Sequence, residues 1–123
     1  MKAALIARIE GIRRRNIESV RRIVDEAHYT KFDDWPPFER QGLEALKREE
    51  EAYRVLRDFN YEISDWRIDV FNDAAIASFI IKYSGQIRNR KFYIRSRVSA
   101  FMVKMGEEWK LIHEHWSRIP EFF

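Results

Sequence analysis

The sequence predicts an α+β domain in which three N-terminal helices precede a long, mainly antiparallel sheet. Apolar residues recur at three- and four-residue spacing through the first half, and from Phe59 onward they recur at every second position. The chain has only four Gly and three Pro in 123 residues, so no linker or low-complexity stretch divides it. A single domain over 1–123 is expected, with a strongly curved sheet wrapped around the helices.

Each element follows from a local pattern. Leu5, Ile9 and Ile12 mark a first helix; Ile17, Val20, Ile23, Val24 and Ala27 mark a second, after the polar break Arg13-Arg14-Arg15-Asn16. Asn16 suits an N-cap, because its side-chain oxygen can accept from the free amides of a helix beginning at Ile17. His28 to Asp34 alternates aromatic and polar residues as a short strand does, and Trp35-Pro36-Pro37 ends it. After Gly42 a third helix is predicted over 43–57, with Leu43, Leu46, Tyr53 and Leu56 on one stripe and Glu44 to Arg48 and Glu50 to Arg54 at ion-pair spacing. Tyr61 and Ile63 lie on one strand phase and Trp66, Ile68 and Val70 on the other, so a bulge is placed near Ser64-Asp65. Asn72-Asp73 is a turn, and strands over 74–84, 91–104 and 108–117 follow, broken at Gly85 and Gly106.

Composition narrows the function classes. Without cysteine there are no disulfides and no thiolate metal sites. The excess of 23 basic over 20 acidic residues is small; Arg13, Arg14, Arg15, Arg21 and Arg22 interleave with Glu10, Glu18 and Asp25, which reads as a solvated helix face and not a nucleic-acid site. Glu49-Glu50-Glu51 reads as another exposed helix face. No apolar run is long enough for a membrane span or a signal peptide, so no membrane partner and a cytoplasmic location are expected.

Arg97-Val-Ser99, Gly106 and Trp109-Lys-Leu-Ile-His113-Glu-His115-Trp-Ser117 resemble the C-terminal signature of SnoaL-like domains. In that signature an Arg-x-Thr strand precedes a Gly, a Trp and a His-x-His-x-Ser strand; here Ser99 replaces the threonine and the turn has one extra residue. The resemblance implies the nuclear transport factor 2-like superfamily, whose fold is a cone of curved mixed sheet around helices. That superfamily includes cyclases, ketosteroid isomerases, dehydratases, epoxide hydrolases, the association domain of calcium/calmodulin-dependent protein kinase and non-enzymatic binding modules, so it fixes fold more than function.

The last two strands carry the candidate site. A three-residue turn at 105–107 would set Ser99 opposite His113 and Arg97 opposite His115, while a two-residue turn would exchange the faces. The association domain's cavity arginines correspond to Ile80, Ala100 and Trp116, so the resemblance favours the first register. Ile80, Val98, Ala100, Met102, Ile112, Glu114 and Trp116 then face the cavity, with His113, His115, Arg97 and Ser99 outside.

The His-x-His pair supplies two of the three or four ligands zinc requires, so no metal is expected and the outer cluster is assigned to strand register or a dimer partner. Glu114 is the first candidate for acid/base chemistry. Asp33 and Asp34 come next, at the strand end where isomerase-like members carry their base; burial would raise such carboxylates. The structural alternatives are a Glu114–Lys82 ion pair and turn-forming aspartates. Tyr29, Phe32, Trp35, Phe38 and Trp116 are candidate pocket aromatics or simply core.

The expected function is a cofactor-free module that binds a small apolar molecule or assembles as a homodimer through the outer face of the sheet. The alternative is an isomerase, cyclase or dehydratase that moves a proton with a cavity carboxylate. Phe122 and Phe123 either pack on a second subunit or fray.

Overall fold

The computed structural model describes residues 1–120, so Phe122 and Phe123 lie outside the described residues. Helices α1 (Lys2–Arg13), α2 (Ile17–Arg21) and α3 (Glu44–Tyr53) accompany six strands: β1 (Thr30–Phe32), β2 (Arg40–Gln41), β3 (Leu56–Phe71), β4 (Ala74–Ile87), β5 (Arg90–Met105) and β6 (Glu108–Arg118). The strands form one sheet in the order β2-β1-β6-β5-β4-β3. β1 runs parallel to β6 and every other pair is antiparallel, so the sheet is mixed. It is also open, with the two-residue β2 and the long β3 as its edges.

Period-two patterning gives the sheet one buried face. Ala75, Ala77, Phe79, Ile81 and Tyr83 of β4 point inward beside Ile94, Ser96, Val98, Ala100 and Met102 of β5. Leu5 and Ile9 of α1, Val20 of α2 and Ala45 and Leu46 of α3 close the same core, each large side chain contributing about 1.5–3 kcal/mol.

Local signals and tertiary pairing compete at the element ends. Asn16 caps α2, accepting from the amides of Glu18 (3.1 Å) and Ser19 (3.4 Å). The helix nonetheless stops at Arg21, because the chain beyond it pairs with β6: the Leu111 amide donates to the Ile23 carbonyl (2.7 Å) and the Asp25 amide donates to the Leu111 carbonyl (3.0 Å). α3 ends at Tyr53, short of 57, since β3 begins at Leu56. Glu44 turns back to accept from the Gly42 amide (2.9 Å). The bulge near Ser64-Asp65 is present as a register shift between Ser64 and Arg67, with Asp65 at φ 57°. Gly85 is not a break. β4 continues to Ile87, and a Cβ at position 85 would stand 2.9 Å from the Phe92 ring, so glycine there admits a close packing contact.

The β5–β6 hairpin differs from the predicted register. Its turn is two residues long, Gly106-Glu107 between the paired Met105 and Glu108, with Gly106 at φ 65°. Such a turn alone would invert the faces of β6, but a bulge intervenes: Met102 pairs with Leu111 and the next residue, Phe101, pairs with His113. The extra residue, Ile112, restores the phase. Glu114 and Trp116 therefore do face inward with Val98 and Ala100, while Ser99 pairs with His115 and Arg97 with Ser117, two residues along from the expected partners. Two cavity assignments fall, the first through this bulge and the second through alternation along β4. Leu111, fully buried, takes the inward place given to Ile112, and Ile80 lies opposite Arg97 on the outer face, between inward Phe79 and Ile81.

Candidate functional site

A cavity of about 270 Å³ opens between the inner face of the sheet and α3. One wall is apolar and aromatic, built by Trp35, Leu56, Phe59, Tyr83, Ile87 and Phe92. The other end is polar, where Arg8 from α1, Lys31 from β1, Asp33 from the following loop, and Glu49 and Tyr53 from α3 converge, while Asp34 from that loop sits against Tyr83 of the aromatic wall. Trp116 of β6 lies between the two, with the Lys31 ammonium 5.3 Å from its ring centroid.

Glu114 is fully buried and fully bonded. Its Oε1 accepts from Arg8 Nη1 (2.9 Å) and Trp116 Nε1 (2.5 Å), and its Oε2 accepts from the Tyr29 hydroxyl (2.8 Å) and lies 2.8 Å from Arg8 Nη2. Burial pushes this carboxyl up, but Arg8 and Lys31 together with the Tyr29 and Trp116 hydrogen bonds outweigh it and hold the pKa at about 2. Burial likewise opposes the charge on Arg8, and Glu114 more than compensates, so the pair is ionised on both sides. A carboxylate locked in this way has no free lone pair for a substrate proton.

The aspartates divide in role. Asp34 Oδ2 accepts from the Tyr83 hydroxyl (2.6 Å) and Ser96 Oγ (2.5 Å), while its carbonyl accepts from Arg118 Nε (2.6 Å). Trp35 Nε1 donates to the same Tyr83 oxygen (2.9 Å), which fixes the indole at the cavity wall. Asp33 is less constrained: its Oδ1 accepts the Asp34 amide (2.8 Å) and its Oδ2 lies 3.6 Å from Lys31 Nζ. Burial raises its pKa to about 6, Lys31 opposing and the neighbouring Asp34 and Glu49 adding to the rise. Lys31 makes its short contact with Glu49 Oε1 (2.7 Å).

The sequence pattern of the SnoaL-like domain family matches residues 2–121. The chain belongs to that family. Solved structures place this SnoaL-like domain in the nuclear transport factor 2-like fold. A proposed dehydratase of that family from Streptomyces avermitilis superposes with a TM-score of 0.84 at 14% identity, covering 98% of this chain and 94% of its own. A proposed scytalone dehydratase from Novosphingobium aromaticivorans gives 0.82 at 15% identity over 97% of this chain and 81% of its own. A proposed calcium/calmodulin-dependent kinase II association domain from Exiguobacterium sibiricum gives 0.81 at 13% identity over 98% and 92%. At these identities the likeness is one of fold. No curated protein matches the chain.

Of the residues singled out from sequence, Trp35, Trp116, Asp33 and Asp34 line the cavity of the SnoaL-like domain. Tyr29 is buried behind it as a partner of Glu114, and Ala100 borders a separate hollow of only about 10 Å³ under α1. Phe32 turns outward, its ring 5.7 Å from that of His113 and 5.3 Å from that of His115, because alternation along β1 sends Lys31 inward instead. Phe38 is exposed. The ion pair proposed for Glu114 is formed with Arg8, not with Lys82, whose sheet neighbours are Glu62 and Arg95.

Sequence reasoning missed Arg8, Lys31, Glu49, Tyr53 and Tyr83. Arg8 sits on the buried stripe of α1 beside Leu5 and Ile9, a charged residue at an apolar position, which was the available signal. Glu49 belongs with Tyr53 at i, i+4 on the inward side of α3; only Glu50 and Glu51 of that run are exposed. Among the described residues no three of His, Asp and Glu are placed to hold a metal ion; His113 Nδ1 is 2.8 Å from the Thr30 hydroxyl. Among these residues no helix is long and apolar enough to cross a membrane.

Proposed function

We propose that this SnoaL-like domain binds a small, largely apolar molecule in its cavity. One observation supports this above all: the 270 Å³ space has an aromatic wall at one end and a cluster of polar side chains at the other, the pattern of an orienting ligand pocket. Ala52 borders the space and is only half-buried, so Ala52→Phe fills it from the α3 side. Ligands found by a thermal-shift screen of aromatic and alicyclic compounds should bind the native domain and lose roughly tenfold or more in affinity to the filled variant. Equal binding by both would place the ligand elsewhere.

A second reading, proton transfer at such a ligand, is favoured by Asp33. It is a cavity carboxylate without a full set of donors, and its pKa near 6 suits acid/base work at neutral pH. On that reading Asp33→Asn abolishes turnover of a ketone, enone or epoxide substrate, and native kcat/KM rises with a midpoint near pH 6. A flat profile across pH 5–7 would remove Asp33 as the base. We also propose a homodimer through the outer face of the sheet, where Ile76 and Phe101 are cross-strand neighbours, exposed to 37% and 38%.

A further inference from the structure

We propose that the cavity is built for the ammonium head of a small primary amine carried on an aromatic or alicyclic body, an inference that rests on the ligand-binding reading above. Four buried side-chain nitrogen or oxygen atoms among the described residues have no hydrogen-bond partner, and two of these, Glu49 Oε2 and the Tyr53 hydroxyl, belong to residues that line this one cavity. Glu49 and Tyr53 stand one helical turn apart on α3, and Tyr53 is only 7% exposed. Leaving such atoms unpaired is costly, so a ligand that satisfies them gains what the free protein lacks.

The chemistry of the vacancy is directional. Glu49 Oε2 can only accept, and the Tyr53 oxygen accepts as readily as it donates. Asp33 completes the set: its Oδ2 is 3.6 Å from Lys31 Nζ, beyond a hydrogen bond, and Glu49 Oε1 holds that ammonium at 2.7 Å, so both carboxylates flank one cation. Three acceptors on the lining of one cavity are as many as the N–H groups of a primary ammonium.

Charge points the same way. Arg8 is neutralised by Glu114, and Lys31 is shared between Glu49 and Asp33. The third base on the lining, Arg48, is exposed at the mouth. One further cation brings the Lys31, Asp33 and Glu49 cluster to balance, whereas a carboxylate or phosphate would face Asp33 and Glu49 directly. The aromatic wall of Trp35, Tyr83 and Phe92 receives the body of the ligand.

The test uses three probes with one body, 2-phenylethylamine, 2-phenylethanol and phenylacetate, measured by titration calorimetry at pH 7.5. The amine should bind about tenfold or more tightly than either of the others, as a charge-assisted hydrogen bond to buried acceptors implies. Tyr53→Phe should weaken the amine about fivefold while leaving the unliganded melting temperature unchanged or higher, since the hydroxyl it removes has no partner to lose. Glu49→Gln should weaken the amine about tenfold. Equal or tighter binding of the alcohol or phenylacetate overturns the amine assignment and leaves the ligand-binding reading standing. No binding of any probe at millimolar concentration overturns both, and a Tyr53→Phe variant that melts lower without ligand shows that the hydroxyl is already satisfied.

Discussion

At the residue scale the decisive contact is Arg8 with Glu114, 106 positions apart in sequence and both below 5% exposed. Alternation along β6 was enough to send Glu114 inward. Nothing local announced its partner, which arrives on a helix at the other end of the chain. The pair carries a stability prediction. Glu114→Gln leaves the Arg8 guanidinium buried without a counter-charge and should cost about 3–5 kcal/mol, read by urea denaturation at pH 7. Arg8→Met combined with Glu114→Leu should cost less than that single change, since it removes both buried charges. The sign with pH follows from a folded pKa of about 2 against an ordinary 4.5: the stabilisation is complete above pH 4.5 and disappears as pH falls through 2. Roughly 3 kcal/mol is at stake over that window, and the Glu114→Gln protein should lack this part of the acid sensitivity.

At the element scale, turns and phases were legible where one residue type dictates a backbone conformation. Asn72-Asp73 turns with Asn72 at φ 54°, Gly106 takes φ 65°, and the Ser64-Asp65 slip announced itself by moving the apolar set to the other phase. Register was not legible, because Ile112 is apolar and looks at home on either face, while the bulge is set by how Leu111 pairs with Met102 and with the chain after α2. This yields a test by deletion. Removing Ile112 takes out the extra residue and leaves Leu111 opposite Met102 and His113 opposite Phe101, so inward Glu114 and Trp116 keep their places. Removing His115 instead shifts Trp116 to the outer phase. The Ile112 deletion should retain a cooperative denaturation transition and near-ultraviolet circular dichroism, and the His115 deletion should lose both. Survival of the second with native dichroism would mean that β6 register is not what orients Trp116.

At the scale of the whole molecule the order of elements, three helices then long antiparallel strands, was readable because each depends on its own periodicity. The cavity's contents were not, since its lining is drawn from two helices, six strands and a loop, and only the assembled sheet decides which polar side chains meet. The outer face poses the remaining global question. His113 there is held below its usual pKa, by partial burial first and by His115 next, which favours its neutral imidazole. Beside it Phe101, 5.7 Å from the His113 ring, and its cross-strand neighbour Ile76 remain partly open to water. Large apolar side chains paired on one sheet face are the natural centre of an isologous two-fold contact, in which each copy presents the same patch. Light scattering at micromolar concentration should therefore give twice the chain mass of 15.0 kDa, and Phe101→Glu should halve it, because a two-fold contact would bring two such carboxylates together in place of two apolar rings. The substitution lies on the face opposite the cavity, so ligand binding should survive in the monomer; a native protein that is already monomeric under these conditions would overturn the dimer.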